Sequence, residues 1–268
     1  AFMFQDRGAL GRAPVLIPMH FEDGFPIIGE NGKVPEVVTV LDTGYQYAAI
    51  NGSDDFFYKP DENGQITLKN FWEFNHQQMD DFWSVTENPG HLRLHSAKLS
   101  PTLFQAYNTL TQRTVGPKCA AEVTLRFAHM KNGDVAGIST FIGNYGFTGV
   151  KKENDQFYLI MMGRPAKDTT VFGQFEYENP GLEYARVPIY GESICLRAEA
   201  DFTDKRDLSS FYYKEGDNWQ KLGIDQPMYF KMDLFTGCRF GLFYYSTEQT
   251  GGYVDFSKFQ FIWPEYVY

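Results

Sequence analysis

The sequence is poor in cysteine and has no surplus of positive charge. Cys119, Cys195 and Cys238 lie far apart, without the paired spacing of a zinc site or the density of a disulfide scaffold. They are predicted to be buried free thiols. The formal net charge of -10, with no run of Lys or Arg, argues against nucleic acid as a partner, because phosphate backbones would be repelled.

Long apolar runs and catalytic signatures are missing as well. No stretch approaches the roughly 20 apolar residues needed to cross a bilayer, and the start of the chain lacks the features of a signal peptide. The sequence therefore predicts a soluble chain without a membrane partner and leaves the compartment open: cytoplasmic, periplasmic or secreted. Gly-rich phosphate loops, Ser or Cys nucleophile motifs and CxxC pairs are absent from the sequence.

What the sequence does contain favours β-structure. Of its 268 residues, 17% are aromatic and 25 are glycine, a mixture that suits strands joined by tight turns better than helices. Residues 121–127 and 194–201 alternate apolar and polar side chains, as half-buried strands do. Hairpin turns are predicted at Asn132 and Gly133 and at Glu215 to Asp217. Further aromatic or β-branched runs lie at 155–162, 210–214, 239–245 and 253–261.

Many short strands without βαβ alternation or a long repeat indicate an all-β fold, an antiparallel β-sandwich or barrel, and for roughly 200 residues the sandwich is favoured. The chain divides by composition into three parts. Residues 1–35 are rich in Pro and Gly, residues 36–67 form a connecting region predicted to wrap a surface, and residues 68–268 form the sandwich.

Two carboxylates could in principle act on a sugar. Strand alternation places Glu199 and Asp201 on one face about 6.5 to 7 Å apart, within the roughly 5 to 9.5 Å that glycosidases use. The same face also carries Arg197, which favours a solvated polar row instead. A sandwich glycosidase of the laminarinase type would show Glu-x-Asp-x-x-Glu, whereas this chain has Asp204 at the last position.

Two places in the sequence carry side chains that could bind a metal. His91 and His95 share a strand face with Arg93, but a metal site would need a third ligand from elsewhere, so an outward polar face is favoured. Asp255, between Val254 and Phe256, could hold a structural Ca²⁺ together with backbone carbonyls. The alternative is an Asp that serves a turn or a hydrogen bond.

Several segments, in order, resemble the C-terminal half of glycoside hydrolase family 43, the β-xylosidase and α-L-arabinofuranosidase group. The resemblance covers most of the chain. The segments are GRAPVLIP at 11–18, EDGFP at 22–26, WEFNH at 72–76, FWS at 82–84, LRL at 92–94, NTLTQR at 108–113, the stretch 235–243 and the stretch 252–259.

The resemblance implies a concanavalin A-like (jelly-roll) sandwich behind the terminal segment of a five-bladed β-propeller, which would be residues 1–35. It places the general acid, the base and the pKa-modulating Asp on earlier propeller blades that are not in this chain. Arg12 matches an arginine that reaches the sugar in related β-xylosidases, and Phe235 matches a loop aromatic that closes over the substrate in some relatives. The expected partners are an upstream propeller catalytic domain and a xylo- or arabino-oligosaccharide.

Three functions remain open at this point. The chain is expected to be an accessory module that supports the propeller and shapes its active site without being catalytic alone. The alternative is a carbohydrate-binding module that holds xylan or arabinan on exposed Trp and Tyr faces. The third is an independent hydrolase that uses Glu199 and Asp201.

Overall fold

The computed structural model describes residues 1–164, 178–229 and 236–263, and they form an all-β protein. Its helices among these residues are four 3-10 turns of three residues each, Gly8–Leu10, Asp80–Phe82, Leu103–Gln105 and Thr203–Lys205. None of the described helices has the length and apolar character that a membrane span requires. The predicted all-β class is confirmed.

Nineteen strands are formed by the described residues. The first nine are β1 (Phe2–Asp6), β2 (Arg12–Leu16), β3 (Met19–Glu22), β4 (Phe25–Ile28), β5 (Glu73–Phe74), β6 (Trp83–Ser84), β7 (Leu92–His95), β8 (Leu110–Arg113) and β9 (Lys118–Arg126). The others are β10 (Asp134–Phe141), β11 (Gly146–Glu153), β12 (Gln156–Gly163), β13 (Leu182–Ile189), β14 (Ser193–Asp201), β15 (Leu208–Glu215), β16 (Asn218–Lys221), β17 (Gln226–Pro227), β18 (Arg239–Ser246) and β19 (Tyr253–Ile262).

Fifteen of the strands build two large antiparallel sheets. The seven-stranded sheet runs β13-β12-β11-β10-β18-β8-β5, and the eight-stranded sheet runs β16-β15-β14-β9-β19-β7-β6 with β17 beside β15. Strands that follow one another in sequence often lie in different sheets, as β9 and β10 do. The predicted antiparallel sandwich is therefore confirmed.

The core lies between the two sheets, as strand alternation predicts. In β9, Val123 and Leu125 are buried while Glu122 and Thr124 are half-exposed. The buried set continues through Leu196 of β14 and Phe256 of β19. A second apolar cluster includes Phe147 of β11 and Phe243 of β18, which alternate along their strands with side chains of the main core, together with Phe104 and Tyr145 from outside the strands.

One of the two predicted hairpin turns is wrong. Asn132 and Gly133 do not close a hairpin, because β9 and β10 lie in different sheets and the chain crosses between them here. A sequence pattern predicts the position of a turn, but it does not predict which sheet the next strand joins. The other turn is correct, since Gly216 and Asp217 join β15 to β16 with Glu215 opposite Asn218.

The three cysteines are free thiols, as predicted. Cys119 and Cys238 are buried, whereas Cys195 is half-buried on β14, so its predicted burial is only partly right. Burial raises the pKa of Cys119 to about 12, which leaves this thiol protonated and unreactive at neutral pH.

The connecting region does more than wrap a surface, contrary to the prediction. Phe56 is fully buried and its ring stacks near that of Trp72, with 6.0 Å between centroids. Asp54 is buried beside it and accepts hydrogen bonds from Trp72 Nε1 at 2.8 Å and from the Tyr58 hydroxyl. Lys69 Nζ lies 3.1 Å from the same carboxylate. A buried charge with several partners fastens this region to the sandwich.

The first 28 residues form two separate hairpins, β1–β2 and β3–β4. The second closes through Asp23 and Gly24, both at positive φ (47° and 83°), as a two-residue hairpin turn requires. Neither hairpin joins the large sheets, and both keep open strand edges in the described structure. The domain boundaries at residues 35 and 67 stay a prediction.

We expect Asp54→Ala to lower the free energy of unfolding by about 3 kcal/mol, because it leaves the Trp72 indole donor and the Lys69 ammonium without their shared acceptor. Urea unfolding followed by tryptophan fluorescence measures the change. Asp55→Ala, next to it and exposed, is the matched control and should cost less than about 0.5 kcal/mol. Equal effects of the two variants would contradict the anchoring role of Asp54.

Candidate functional site

The N-terminal segment is attached to the sandwich at one short stretch. Ala9 is fully buried in the main core. Its N–H donates to Asp207 Oδ2 at 3.0 Å, and its carbonyl accepts from the Cys238 N–H at 2.8 Å. Both backbone groups of a single residue are therefore satisfied by the sandwich, which fixes the start of β2 three residues later.

Two glycines allow this close approach. A Cβ on Gly237 would lie 2.2 Å from the Leu10 carbonyl oxygen, and a Cβ on Gly11 would lie 2.8 Å from the Gly237 Cα. Gly11 also has φ at 100°, a conformation that other residues rarely adopt. Because backbone packs on backbone here, the junction between Leu10 and Cys238 tolerates little displacement.

A cavity of about 280 Å³ opens at this junction, and we name it the junction cavity. Its lining brings together Arg12 from β2, Arg113 from β8 and Arg239 from β18, with Thr114 and Thr236 beside them. Among the described residues that line it, none is acidic. The site is therefore polar and cationic on a chain whose net charge is -10.

Each arginine is held differently. The Arg12 guanidinium carbon lies 4.4 Å from the centroid of the Phe4 ring across the β1–β2 hairpin. Arg239 Nε donates to Thr111 Oγ1 at 2.8 Å, and its Nη2 lies 2.9 Å from Glu73 Oε2. Arg113 is exposed at the end of β8.

The structure places one of the two predicted substrate residues at this cavity. Arg12 lines it, and its contact with a sugar stays a prediction. Phe235 lies outside the described residues, although the next residue, Thr236, lines the cavity. Sequence reasoning missed Arg113 and Arg239 as site residues, because only the pairing of β8 with β18 reveals that they are neighbours.

Asp255, the predicted calcium ligand, is engaged by an arginine and an amide. Arg93 Nε and Nη2 donate to its two carboxylate oxygens at 2.7 and 2.9 Å, and Asn88 Nδ2 donates to Oδ2 at 2.9 Å. The Arg93 guanidinium also lies over the Tyr253 ring at 4.2 Å. This bidentate geometry is typical of a structural ion pair. The calcium site at Asp255 stays a prediction.

The electrostatics of Asp255 agree with an ion pair. Burial acts to raise its pKa, but the hydrogen bonds from Arg93 and Asn88 outweigh burial, so the pKa lies below its ordinary value. Within the described part of the chain, no group of three His, Cys, Asp or Glu side chains could hold a metal. His95 Nε2 lies 3.1 Å from Glu87 Oε2, which accounts for that histidine on β7.

The Glu199 and Asp201 pair lies on the outer face of the eight-stranded sheet, where both line a cavity of about 310 Å³. Each carboxylate is held by a cation. Glu199 Oε1 lies 2.6 Å from Arg197 Nη2, and Asp201 Oδ2 lies 2.9 Å from Lys118 Nζ. Burial acts to raise the pKa of Asp201, but hydrogen bonds from Thr203 and Lys118 lower it overall, which is opposite to what a general acid needs.

Comparison with known proteins decides the family. The model of the beta xylosidase C-terminal concanavalin A-like domain matches residues 61–262, three quarters of the chain. This chain belongs to that family. The resemblance stated from the sequence is thereby confirmed, and so is the concanavalin A-like class of the sandwich.

A beta-xylosidase of Formosa agariphila is similar to this chain, and the similarity covers most of this chain. The two are 27% identical over 94% of this chain and 43% of that protein. A putative beta-xylosidase of Xylanibacter ruminicola is 28% identical over 61% of this chain and 30% of its own length. The chain therefore spans less than half the length of these curated relatives.

Solved structures agree with this picture. A bifunctional GH43-CE protein of Bacteroides eggerthii has a TM-score of 0.82 and 36% identity, and the match covers 97% of this chain and 32% of that one. An engineered GH43 glycoside hydrolase, which displays endo-xylanase and exo-arabinofuranosidase activity, has a TM-score of 0.81 and 26% identity over 97% of this chain and 51% of its own. These matches include the N-terminal hairpins as well as the sandwich.

We expect Asp255→Asn to lower the free energy of unfolding by about 2–3 kcal/mol at pH 7, because Arg93 loses its bidentate acceptor. The folded pKa of Asp255 lies below the unfolded value of about 3.9. The contribution is therefore present above about pH 4 and is lost as the pH falls through the folded pKa.

Urea unfolding at pH 7 and at pH 3 measures both expectations. The difference between wild type and Asp255→Asn should shrink at the lower pH. Asp217→Asn, at an exposed hairpin turn, is the control and should have almost no effect. A difference at pH 3 as large as the difference at pH 7 would contradict the ionic character of the pair.

Proposed function

We propose that this chain is the C-terminal accessory part of a glycoside hydrolase family 43 enzyme that cleaves xylosidic or arabinosidic bonds in plant polysaccharides. In this proposal the sandwich supports an upstream propeller catalytic domain and completes its active site. It does not catalyse the reaction alone. The family match and the names of the relatives support this assignment.

The observation that carries the proposal is the exposed apolar surface of the N-terminal hairpins. Phe2 is 80% exposed, Phe21 65% and Phe25 73%, and Leu41 beyond them is 87% exposed. Exposed apolar patches of this kind mark contact surfaces, and the open edges of two-stranded sheets are templates for further pairing. An adjoining domain that covers this surface would bury the exposed apolar side chains and protect the open strand edges.

The junction cavity gives the accessory part a way to reach the substrate. Arg12 lies only three residues after Ala9, which is buried in the core of the sandwich. The sandwich therefore holds Arg12 in position. A guanidinium can donate two parallel hydrogen bonds to sugar hydroxyls or to a carboxylate. The proposed role of Arg12 is to bind the sugar that the upstream domain cleaves.

Turnover by the isolated chain and by a fusion protein tests the proposal. The fusion joins this chain to the part of the Formosa agariphila beta-xylosidase outside the matched region. We expect no release of 4-nitrophenol from 4-nitrophenyl β-D-xyloside or α-L-arabinofuranoside by the chain alone, and clear release by the fusion. Arg12→Ala should lower kcat/KM of the fusion by about 10- to 100-fold, since a charge-assisted contact is lost.

Arg7→Ala is the matched control, since Arg7 is exposed near the same hairpin but does not line the junction cavity. It should change kcat/KM less than about twofold. Turnover by the chain alone would overturn the accessory role. Equal effects of Arg7→Ala and Arg12→Ala would remove the sugar contact from the proposal.

A carbohydrate-binding module is the second candidate, and the outer face of the eight-stranded sheet favours it. Trp219 of β16 lies there near Arg197 and Lys214, whose charges lie 5.8 and 5.9 Å from the centroid of its ring. Aromatic rings on such faces bind sugars by stacking. Retardation of the isolated chain in gels that contain xylan or arabinan, abolished by Trp219→Ala, would favour this function.

A further inference from the structure

The register of β8 and β18 places two arginines directly opposite each other. Arg113 pairs with Arg239 across the two strands, so both side chains project from the same side of the sheet. Like charges in this position are destabilising, and antiparallel sheets avoid them unless something compensates. The pair lines the junction cavity, where Arg12 adds a third guanidinium.

The charge of Arg113 and Arg239 is only partly compensated. Glu73 lies next to Arg239, but the buried Nη2 of Arg239 completes no well-directed hydrogen bond. Arg113 has no ion pair within the described part of the chain. Burial lowers the pKa of Arg239 from its ordinary value, and the charge of Arg113 lowers it further against the effect of Glu73. Arg113 and Arg239 together are therefore paired with less negative charge than they carry.

We propose that the junction cavity binds the carboxylate of an acidic sugar, a uronic acid unit of an oligosaccharide, through Arg113 and Arg239. The fork of a guanidinium matches the planar, bidentate geometry of a carboxylate, and two guanidiniums line this cavity. The cavity volume of about 280 Å³ lies near the lower end of small-ligand pockets, which suits a single sugar unit. Thr114 and Thr236 also line the cavity, and their hydroxyls could form hydrogen bonds with those of a sugar.

The sugar part of this inference rests on the proposed function, whereas the carboxylate part rests on the arginines alone. It extends the expected substrates from neutral xylo- or arabino-oligosaccharides to ones that carry an acidic unit next to the cleaved bond. The cost of holding like charges together is typical of a binding site, where stability is given up for function.

Calorimetric titration of the 268-residue chain with sodium glucuronate, at constant ionic strength, tests the proposal. Glucose is the uncharged reference ligand and sulfate the anionic one. We expect glucuronate to bind more tightly than sulfate, and glucose to give no measurable heat. Arg113→Gln should weaken glucuronate binding about tenfold or more, and Arg113→Lys, which keeps the charge but not the fork, several-fold.

Thermal unfolding supplies a second readout that a purely structural arginine would not give. Without ligand, Arg113→Gln should raise Tm by about 1–2 °C at low salt, because the repulsion with Arg239 is relieved. At the same concentration, glucuronate should raise the Tm of the wild type clearly more than that of Arg113→Gln. Arg126→Gln, at an exposed arginine of the other sheet, is the control and should leave glucuronate binding unchanged.

The proposal is overturned if the wild type does not bind glucuronate, if it binds sulfate equally well, or if Arg113→Gln binds as the wild type does. These results do not depend on the fusion enzyme. A fusion without glycosidase activity would contradict the proposed function but would not change the result of the glucuronate titration. Failure of the proposed function can therefore be distinguished from failure of the carboxylate-binding proposal.

Discussion

The close contact between Gly11 and Gly237 is the constraint on which the geometry of the candidate site depends. It joins a hairpin with little buried surface of its own to a sandwich with a large core. Two backbone hydrogen bonds of Ala9 fix the relative position of the two parts. Without this contact, Arg12 on the hairpin and Arg113 and Arg239 on the sandwich would not share one cavity.

Charges in this protein fall into two groups with different roles. Asp54 and Asp255 are buried, and each accepts hydrogen bonds from several donors, so they stabilise the fold. In the junction cavity, by contrast, Arg113 has no ion pair within the described residues, and the buried Nη2 of Arg239 completes no well-directed hydrogen bond. A stable sandwich thus carries a locally unfavourable pair of arginines, and this contrast distinguishes the candidate site from the structural ion pairs.

Sequence patterns predicted the strands well wherever one face is buried and the other is wet. The runs at 121–127 and 194–201 correspond to β9 (Lys118–Arg126) and β14 (Ser193–Asp201) because burial on a sheet has a period of two. The same logic failed at Asn132 and Gly133, since a turn residue does not specify the sheet of the next strand. The resemblance to family 43 added the concanavalin A-like class, which alternation alone does not distinguish from other sandwiches.

The candidate site was less accessible to sequence reasoning. Arg12 was found through the resemblance, but Arg113 and Arg239 are more than a hundred residues apart and meet only because β8 and β18 pair. The ion-pair partner of Asp255, Arg93, lies 162 residues away in the sequence, so the sequence alone did not reveal this pair. Long-range partners decide whether a lone carboxylate serves an ion pair or a metal, and a single sequence does not show them.

Amide hydrogen exchange in a Gly237→Ala variant tests the central constraint most directly. The added Cβ would lie 2.2 Å from the Leu10 carbonyl oxygen, so the hairpin has to move away from the sandwich. We predict that the Ala9 and Cys238 amides then exchange at least about tenfold faster, while core amides such as that of Leu125 keep their rates. Unchanged exchange at Ala9 and Cys238 would contradict the account.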